Sequence, residues 1–216
     1  MTRRTQTKAR RLNRAEKREA NRGRILHAAR EVFGARGFHG ATIEEIADEA
    51  GLSNGAIYYN FDSKGDLFLE LLEERMQERV EHMRQTLTDA ARSGSRDLGL
   101  DEEARDATRS LKESREWRLL LFEFVAHAAR TPSLRPKLRA HKRKYRAAMA
   151  EVLEQRTTER GAAGSIPSEQ LALVAMALAN GLALEELADP GAVPDELLGD
   201  LLALLLTQND RRSETS

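Results

Sequence analysis

The chain is expected to be all-α, with an N-terminal three-helix helix-turn-helix head on a six-helix body. Three observations predict this. Ala, Leu, Glu and Arg dominate, and aromatic residues make up only 5% of 216 residues, a composition that favours helix over strand. Apolar residues recur at spacings of three and four along most of the chain. Ser, Thr or Asp precede several apolar runs, and Gly or Pro follow them, as helix starts and stops require.

Taken in order, Ile25, Ala28, Ala29, Val32 and Phe33 form the stripe of the first helix, and Gly37 stands where a left-handed C-terminal cap belongs. Thr42 with Glu45 is a capping box; it opens a helix burying Ile43, Ile46, Ala47 and Ala50. Gly51 breaks that helix, and Ser53 caps a third that buries Ile57 and Phe61. Asp62 and Ser63 lead into a long fourth helix with the stripe Phe68, Leu72, Met76, Val80, Met83 and Leu87, reaching about Ala91. That is on the order of 40 Å of helix. A charged helix is expected from Asp101 to about Lys112. An apolar one from Glu116 to Arg130 is stopped by Thr131-Pro132. A basic amphipathic helix runs from Leu134 to about Arg160, with Pro136 tolerated in its first turn. Ser168 to about Ala188 and Asp195 to about Leu206 complete the count, split by Pro190-Gly191 and Pro194. The expected division is a basic, disordered arm over 1–22, a DNA-binding head over 23–67, and a ligand-binding and dimerisation body over 68–210.

Net charge is zero, but its distribution is not even: residues 1–24 hold ten Lys/Arg against two acids. A basic arm ahead of an acidic body suits a nucleic-acid-binding head with a separate regulatory body. There is no cysteine, which excludes disulfides, thiolate catalysis and Cys-based metal sites. The five histidines, His27, His39, His82, His127 and His141, show no metal spacing. No nucleophile elbow or phosphate-binding loop occurs. No metal, no cofactor and no enzyme activity are expected. No apolar run of about 18 residues is evident, so a cytoplasmic protein without membrane contact is expected.

The run from Gly37 to Lys64 carries the sharpest signal. Two short helices joined by a glycine turn, the second opening with small polar residues and carrying two adjacent tyrosines, have the build of a helix-turn-helix. Ile25-Leu26, Ala28-Ala29, Phe33, Gly37-Phe38, Thr42-Ile43, Ile46-Ala47, Ala50-Gly51-Leu52-Ser53, Gly55, Ile57-Tyr58, Phe61, Ser63-Lys64 and Leu67 together resemble the TetR family of bacterial transcriptional regulators. The resemblance covers about 45 residues and implies a DNA-binding head on a ligand-binding, dimeric body. Asn54 departs from the basic or small residue frequent at its position, and Asn60 from a histidine.

Each expected DNA contact has a physical reason. Thr42 offers a hydroxyl and free N–H groups at a helix N-terminus to a phosphate. Ser53, Asn54, Gly55 and Ala56 form the first turn of the recognition helix. Gly55 costs roughly 1 kcal/mol there against Ala, which close approach of DNA would explain. Asn54 suits adenine and Ala56 a thymine methyl. Adjacent Tyr58 and Tyr59 cannot share one face, so at most one packs inward; the resemblance implies that both reach DNA. Asn60 can donate hydrogen bonds. Lys64 places a cation where the helix dipole disfavours it, a penalty that a phosphate would offset. Arg3, Arg4, Arg10, Arg11 and Arg14 suit a minor groove.

In the body, Trp117, Leu121, Phe124 and His127 on one helix, with Tyr145, Met149, Met176 and Asn180 on others, suit an apolar effector cavity. Ala172, Ala175, Ala179 and Ala183 form a small-residue ridge that admits a close helix. Leu198, Leu201, Leu202 and Leu205 belong to a final helix apolar nearly all round. Together these two helices suggest a dimer interface. The expected partners are a palindromic double-stranded DNA operator, a small-molecule effector, and a second copy of the chain. An effector-independent regulator or activator, and a helical scaffold or enzyme carrying the same head, fit the pattern as alternatives.

Overall fold

Asn13 starts the first helix. Its side chain accepts the Glu16 N–H, and the Glu16 carboxylate accepts the Asn13 N–H, both at 2.8 Å. The computed structural model describes residues 13–93, 115–159, 166–202 and 204–205. Helix α1 spans Arg14–Gly40, which corrects the expectation of a disordered arm through residue 22. The Asn13–Glu16 capping box lies within a run of charges that masked it. The helix kinks at Gly37, whose φ of 70° and ψ of 173° suit glycine; one further turn ends at Gly40.

Helix α2 covers Ile43–Ala50, with the reciprocal Thr42–Glu45 bonds in place at 3.2 and 3.1 Å. Gly51 ends it in the left-handed region, φ 61° and ψ 41°. The Arg24 guanidinium donates to the carbonyl of Ala50 at 2.6 Å, tying that turn to α1. Helix α3 covers Asn54–Asn60, with the Ser53 hydroxyl accepting the Ala56 N–H. Ser63 and Asp66 cap the start of α4, Lys64–Ser93. The core here is apolar throughout: Ile25, Phe33, Ile46, Ile57, Leu67 and Phe68 have no exposed surface. Phe33, Phe38 and Phe68 meet with ring centroids 5.3–5.9 Å apart, two pairs edge to face. Such contacts add about 0.5–1.5 kcal/mol each beyond burial.

The chain divides within α4 into two compact units, Met1–Phe68 and Leu69–Ser216. The second contains the rest of α4, then α5 (Arg115–Arg130), α6 (Arg135–Glu159), α7 (Ser168–Ala188) and a helical segment over 197–205. The expected helix from Asp101 to Lys112 lies outside the described residues, among which there is no strand. One core cluster joins Val80 of α4 with Met149, Val152 and Leu153 of α6 and Leu171 and Ala172 of α7. A second joins Ala183 with Leu198, flanked by Phe122, Leu182 and Leu202. Glu186 accepts the N–H groups of Gly191 and Val193, fixing the turn after α7.

Two sequence expectations are corrected in this unit. Ser168–Ala188 is long and apolar enough to cross a membrane by length and composition, with a mean hydropathy of 1.6 over its 18-residue window; its two flanking glutamate pairs and central asparagine obscured the run. The alanine ridge assigned to a dimer interface turns partly inward: Ala172 and Ala183, with Leu198, are at most 1% exposed within one chain. Periodicity cannot decide between faces on a helix apolar nearly all round. The exposed apolar face of α7 is instead Leu173, Val174 and Leu184.

A polar latch joins α4 to α6. Lys144 Nζ donates to Glu73, and His141 Nδ1 lies 2.7 Å from the other carboxylate oxygen. Burial pushes the Glu73 carboxyl up, but the hydrogen bonds and charges of Lys144 and His141 outweigh it and hold it below its ordinary 4.5. A depressed carboxylate contributes stability above its unfolded value, lost as pH falls through its folded value. The parent is therefore expected to lose thermal stability below about pH 4.5. Glu73→Gln should be less stable than the parent at pH 7, by about 1 kcal/mol or more, and should lose less on acidification. Melting curves between pH 7 and pH 3 check this; parallel curves would assign the acid sensitivity elsewhere.

Candidate nucleic-acid interface and effector cavity

Helix α3 buries a single side chain, Ile57. Asn54 and Gly55 are exposed, Ala56 is half-buried, and Tyr58 and Tyr59 are 55% and 73% exposed. One inward residue holds so short a helix because Phe61, just beyond it, supplies a second anchor at 5% exposure. Both tyrosines are therefore outside the core. Beside them, the Arg18 guanidinium stands 5.5 Å from the Tyr59 ring centroid and Arg22 4.9 Å from that of Phe61. These two arginines, one α1 turn apart, add cations next to α3. Sequence reasoning missed them because their turn of α1 was assigned to a disordered arm.

Three expected contacts have intramolecular partners as well. The Thr42 hydroxyl belongs to its capping box. Lys64 Nζ donates to the carbonyls of Ala41 at 2.7 Å and His39 at 3.4 Å, and lies 4.9 Å from the Phe38 ring centroid. Burial lowers its pKa. An ammonium has three donors, so one stays open. Asn60 Nδ2 donates to Ala56 O at 2.8 Å, turning the amide back on its own helix, and its Oδ1 is buried without a partner among the described residues. A Cβ at Gly55 would meet only the Ser53 hydroxyl, at 3.8 Å. No internal crowding demands glycine there. Gly55→Ala is expected to stabilise the head by up to about 1 kcal/mol, read as a raised urea midpoint; a lowered midpoint would reveal a backbone constraint.

The second unit contains a cavity of about 90 Å³. Of the expected effector residues, Trp117, Leu121, Tyr145, Met176 and Asn180 line it. Phe124, Met149 and His127 do not. Phe124 is fully buried, Met149 belongs to the first core cluster, and His127 Nε2 stands 3.4 Å from the Thr131 hydroxyl. Four cations that sequence reasoning missed share the wall: Arg75 and Arg79 from α4, Arg118 from α5 and Lys142 from α6. This corrects the expectation of an apolar site. Charged residues on amphipathic helices read as solvent-facing in the sequence, and nothing in their spacing placed four of them together. Burial, then the nearby Arg79, pushes Arg118 down to about 10, so it stays cationic at neutral pH. Burial, then Arg118, lowers Lys142. Burial raises the Tyr145 hydroxyl, which accepts a hydrogen bond from Arg79.

The fold and the exposed α3 define a helix-turn-helix protein with a separate helical body. Residues 25–71 match the family of bacterial regulatory proteins, tetR family, and residues 107–208 match the BetI-type transcriptional repressor C-terminal domain. The chain belongs to the TetR family. It is similar to the HTH-type transcriptional activator FasR of Mycolicibacterium smegmatis, 45% identical over 32% of each chain. It is 31% identical to the HTH-type transcriptional repressor AcnR of Corynebacterium diphtheriae, over 62% of this chain and 64% of that one. The matches thus span between about a third and two thirds of these relatives' own lengths. The crystal structure of the regulator FadR from Bacillus subtilis in complex with stearoyl-CoA shares the fold, with a TM-score of 0.63 at 18% identity over 87% of this chain and 98% of that one.

Proposed function

We propose that this chain is a ligand-responsive transcriptional repressor that binds a palindromic operator as a homodimer and is released by a small-molecule effector. The observation that carries the reading is α3: a capped helix with one buried residue, presenting Asn54, Gly55, Tyr58 and Tyr59 outward beside cationic α1. Such a helix has no packing reason to be tyrosine-rich, and a major groove supplies one. In this reading Ser53, Asn54, Gly55 and Ala56 approach base edges. Thr42, Tyr58, Tyr59 and the open donor of Lys64 approach the backbone, with Arg18 and Arg22 alongside. The repressor sign rests on the BetI-type match of the body. The head alone does not set it, since FasR is named an activator and AcnR a repressor.

A dimer follows from the apolar face of α7. Leu173, Val174 and Leu184 are 51%, 42% and 54% exposed, and Leu204 of the last segment is 55% exposed. A contiguous face of this kind marks an interaction surface, and the same α7 and last segment from a second copy would cover it. Of the ridge and leucine residues expected there, Ala175, Leu201 and Leu205 remain partly accessible. Two heads then read half-sites about one DNA turn apart. The stearoyl-CoA held by FadR supports a small-molecule role for this type of body. An effector moves such a regulator from mostly bound to mostly free only with roughly 10⁴-fold preference for the free state, about 5.5 kcal/mol.

Titration against the DNA upstream of its own gene, with unrelated duplex as competitor, tests the reading. Competitor-resistant binding that weakens steeply with salt is expected. Tyr58→Ala combined with Lys64→Ala should weaken it by at least about tenfold, with circular dichroism confirming a folded head. Affinity unchanged by both substitutions would remove these residues from the interface. Leu184→Glu should convert a dimer to a monomer in light scattering; a parent that is already monomeric, or a variant that stays dimeric, would place the interface on another face.

A further inference from the structure

The charge of the body's cavity is not explained by an effector site of merely apolar character. Arg118 is 8% exposed, yet among the described residues no carboxylate pairs with it or with Lys142. The groups acting on its charge are Arg79, Tyr145 and Arg75. The nearby latch carboxylate, Glu73, is taken up by His141 and Lys144. Burying cations together without an anion is unfavourable twice over, through lost hydration and through mutual repulsion. A protein that keeps such a cluster inside has a cavity already complementary to negative charge.

We infer that the cavity recognises an amphipathic anion, its carboxylate or phosphate held by Arg118 and Lys142 and its apolar portion set against Trp117, Leu121 and Met176. The inference rests on the reading of this body as an effector domain. Guanidinium groups present a planar fork that matches both oxyanions. Arg75 stands 6.0 Å from the Trp117 ring centroid, and Arg79 is hydrogen-bonded to Tyr145, so both arginines are oriented by aromatic neighbours at the wall. At about 90 Å³ the cavity offers little apolar area, so charge dominates its selectivity. A neutral ligand leaves the cations uncompensated, and a cationic one adds to their repulsion.

Trp117 is the chain's single tryptophan, so intrinsic fluorescence reports on this cavity. The full chain is titrated, below micellar concentrations, with octanoate, octyl phosphate, 1-octanol and octylammonium, which share one apolar portion. Saturable fluorescence change and a raised melting temperature are expected for octanoate or octyl phosphate, and the tighter of the two identifies the acid group. Octanol and octylammonium should bind at least about tenfold more weakly. Arg118→Met should weaken the anion by about tenfold or more, leave octanol unchanged, and melt at or above the parent temperature because no internal ion pair is lost. Lys142→Met provides a second variant should the first fail to fold. Equal binding of octanol or octylammonium, or no saturation by either anion, would overturn the inference. So would a melting temperature lowered by Arg118→Met in a folded protein, since the guanidinium would then have an internal partner. Operator binding is measured on the same samples: anion binding without operator binding removes the regulator reading and keeps the anion site, and the converse removes only the anion site.

Discussion

A guanidinium taken out of water without a carboxylate beside it lowers stability by several kcal/mol, and the body is organised around one such group. Arg118 lies on the face of α5 that also supplies Leu120, Leu121 and Phe124 to the interior. It cannot be withdrawn without taking that face with it. The two apolar clusters that join α4, α6 and α7, and α7 with the last segment, are what hold the helices around this charge. The Glu73 latch adds the complementary polar tie, placing an acid between Lys144 and His141 rather than beside Arg118. Had Glu73 stood one turn nearer the cavity, the cluster would be neutralised internally and the cavity would have no preference for anions.

The head solves the opposite problem. Its unit is small, and small units bury too little surface to tolerate charge inside. Its interior is accordingly all apolar, with the three phenylalanines at its centre. Charge is confined to caps and edges: Asn13 with Glu16, Thr42 with Glu45, Ser63 with Asp66, and Arg24 on the Ala50 carbonyl. Lys64 shows how tightly the polar groups are used. The same ammonium that closes the α1–α2 junction through Ala41 keeps a donor open at the start of α4. A residue with both duties cannot be separated into structural and binding parts by one substitution, which is why Tyr58, free of internal duties in the core, belongs in the same experiment.

How far the sequence could be read depended on the range of the interactions involved. The caps at Thr42 and Ser53, the Gly51 turn and the inward Ile57 are local events, settled within four residues, and spacing alone located them. The helical state of residues 14–22 was equally local, but its capping box was hidden among ten basic residues that read as an arm. The cavity is a non-local event. Trp117, Leu121, Tyr145, Met176 and Asn180 could be named because aromatic, methionine and amide side chains stand out on apolar helices. Arg75, Arg79, Arg118 and Lys142 could not, because a cation on an amphipathic helix faces solvent by default, and only packing reveals the exception. The turn of α7 about its own axis was likewise beyond periodicity. With small or apolar residues on every side, the inward choice of Ala172 and Ala183 is made by the partners α7 meets.

These two regimes bear on how an effector could act. A regulator needs differential affinity of about 5.5 kcal/mol to pass from mostly bound to mostly free. A cavity of about 90 Å³ cannot draw that from apolar burial, because its walls touch too little of a ligand. Two or three charge-assisted hydrogen bonds, each contributing about 1.5–3 kcal/mol, can supply it, provided they form in one state and not in the other. That condition is met most simply when the cations come from different helices. Arg75 and Arg79 ride on α4, Arg118 on α5 and Lys142 on α6, so an anion among them draws three elements together, and without it their repulsion pushes the same elements apart. Distributing the charge over three helices therefore makes the spacing of α4, α5 and α6 the quantity that ligand binding changes, with α4 the helix whose first residue is Lys64.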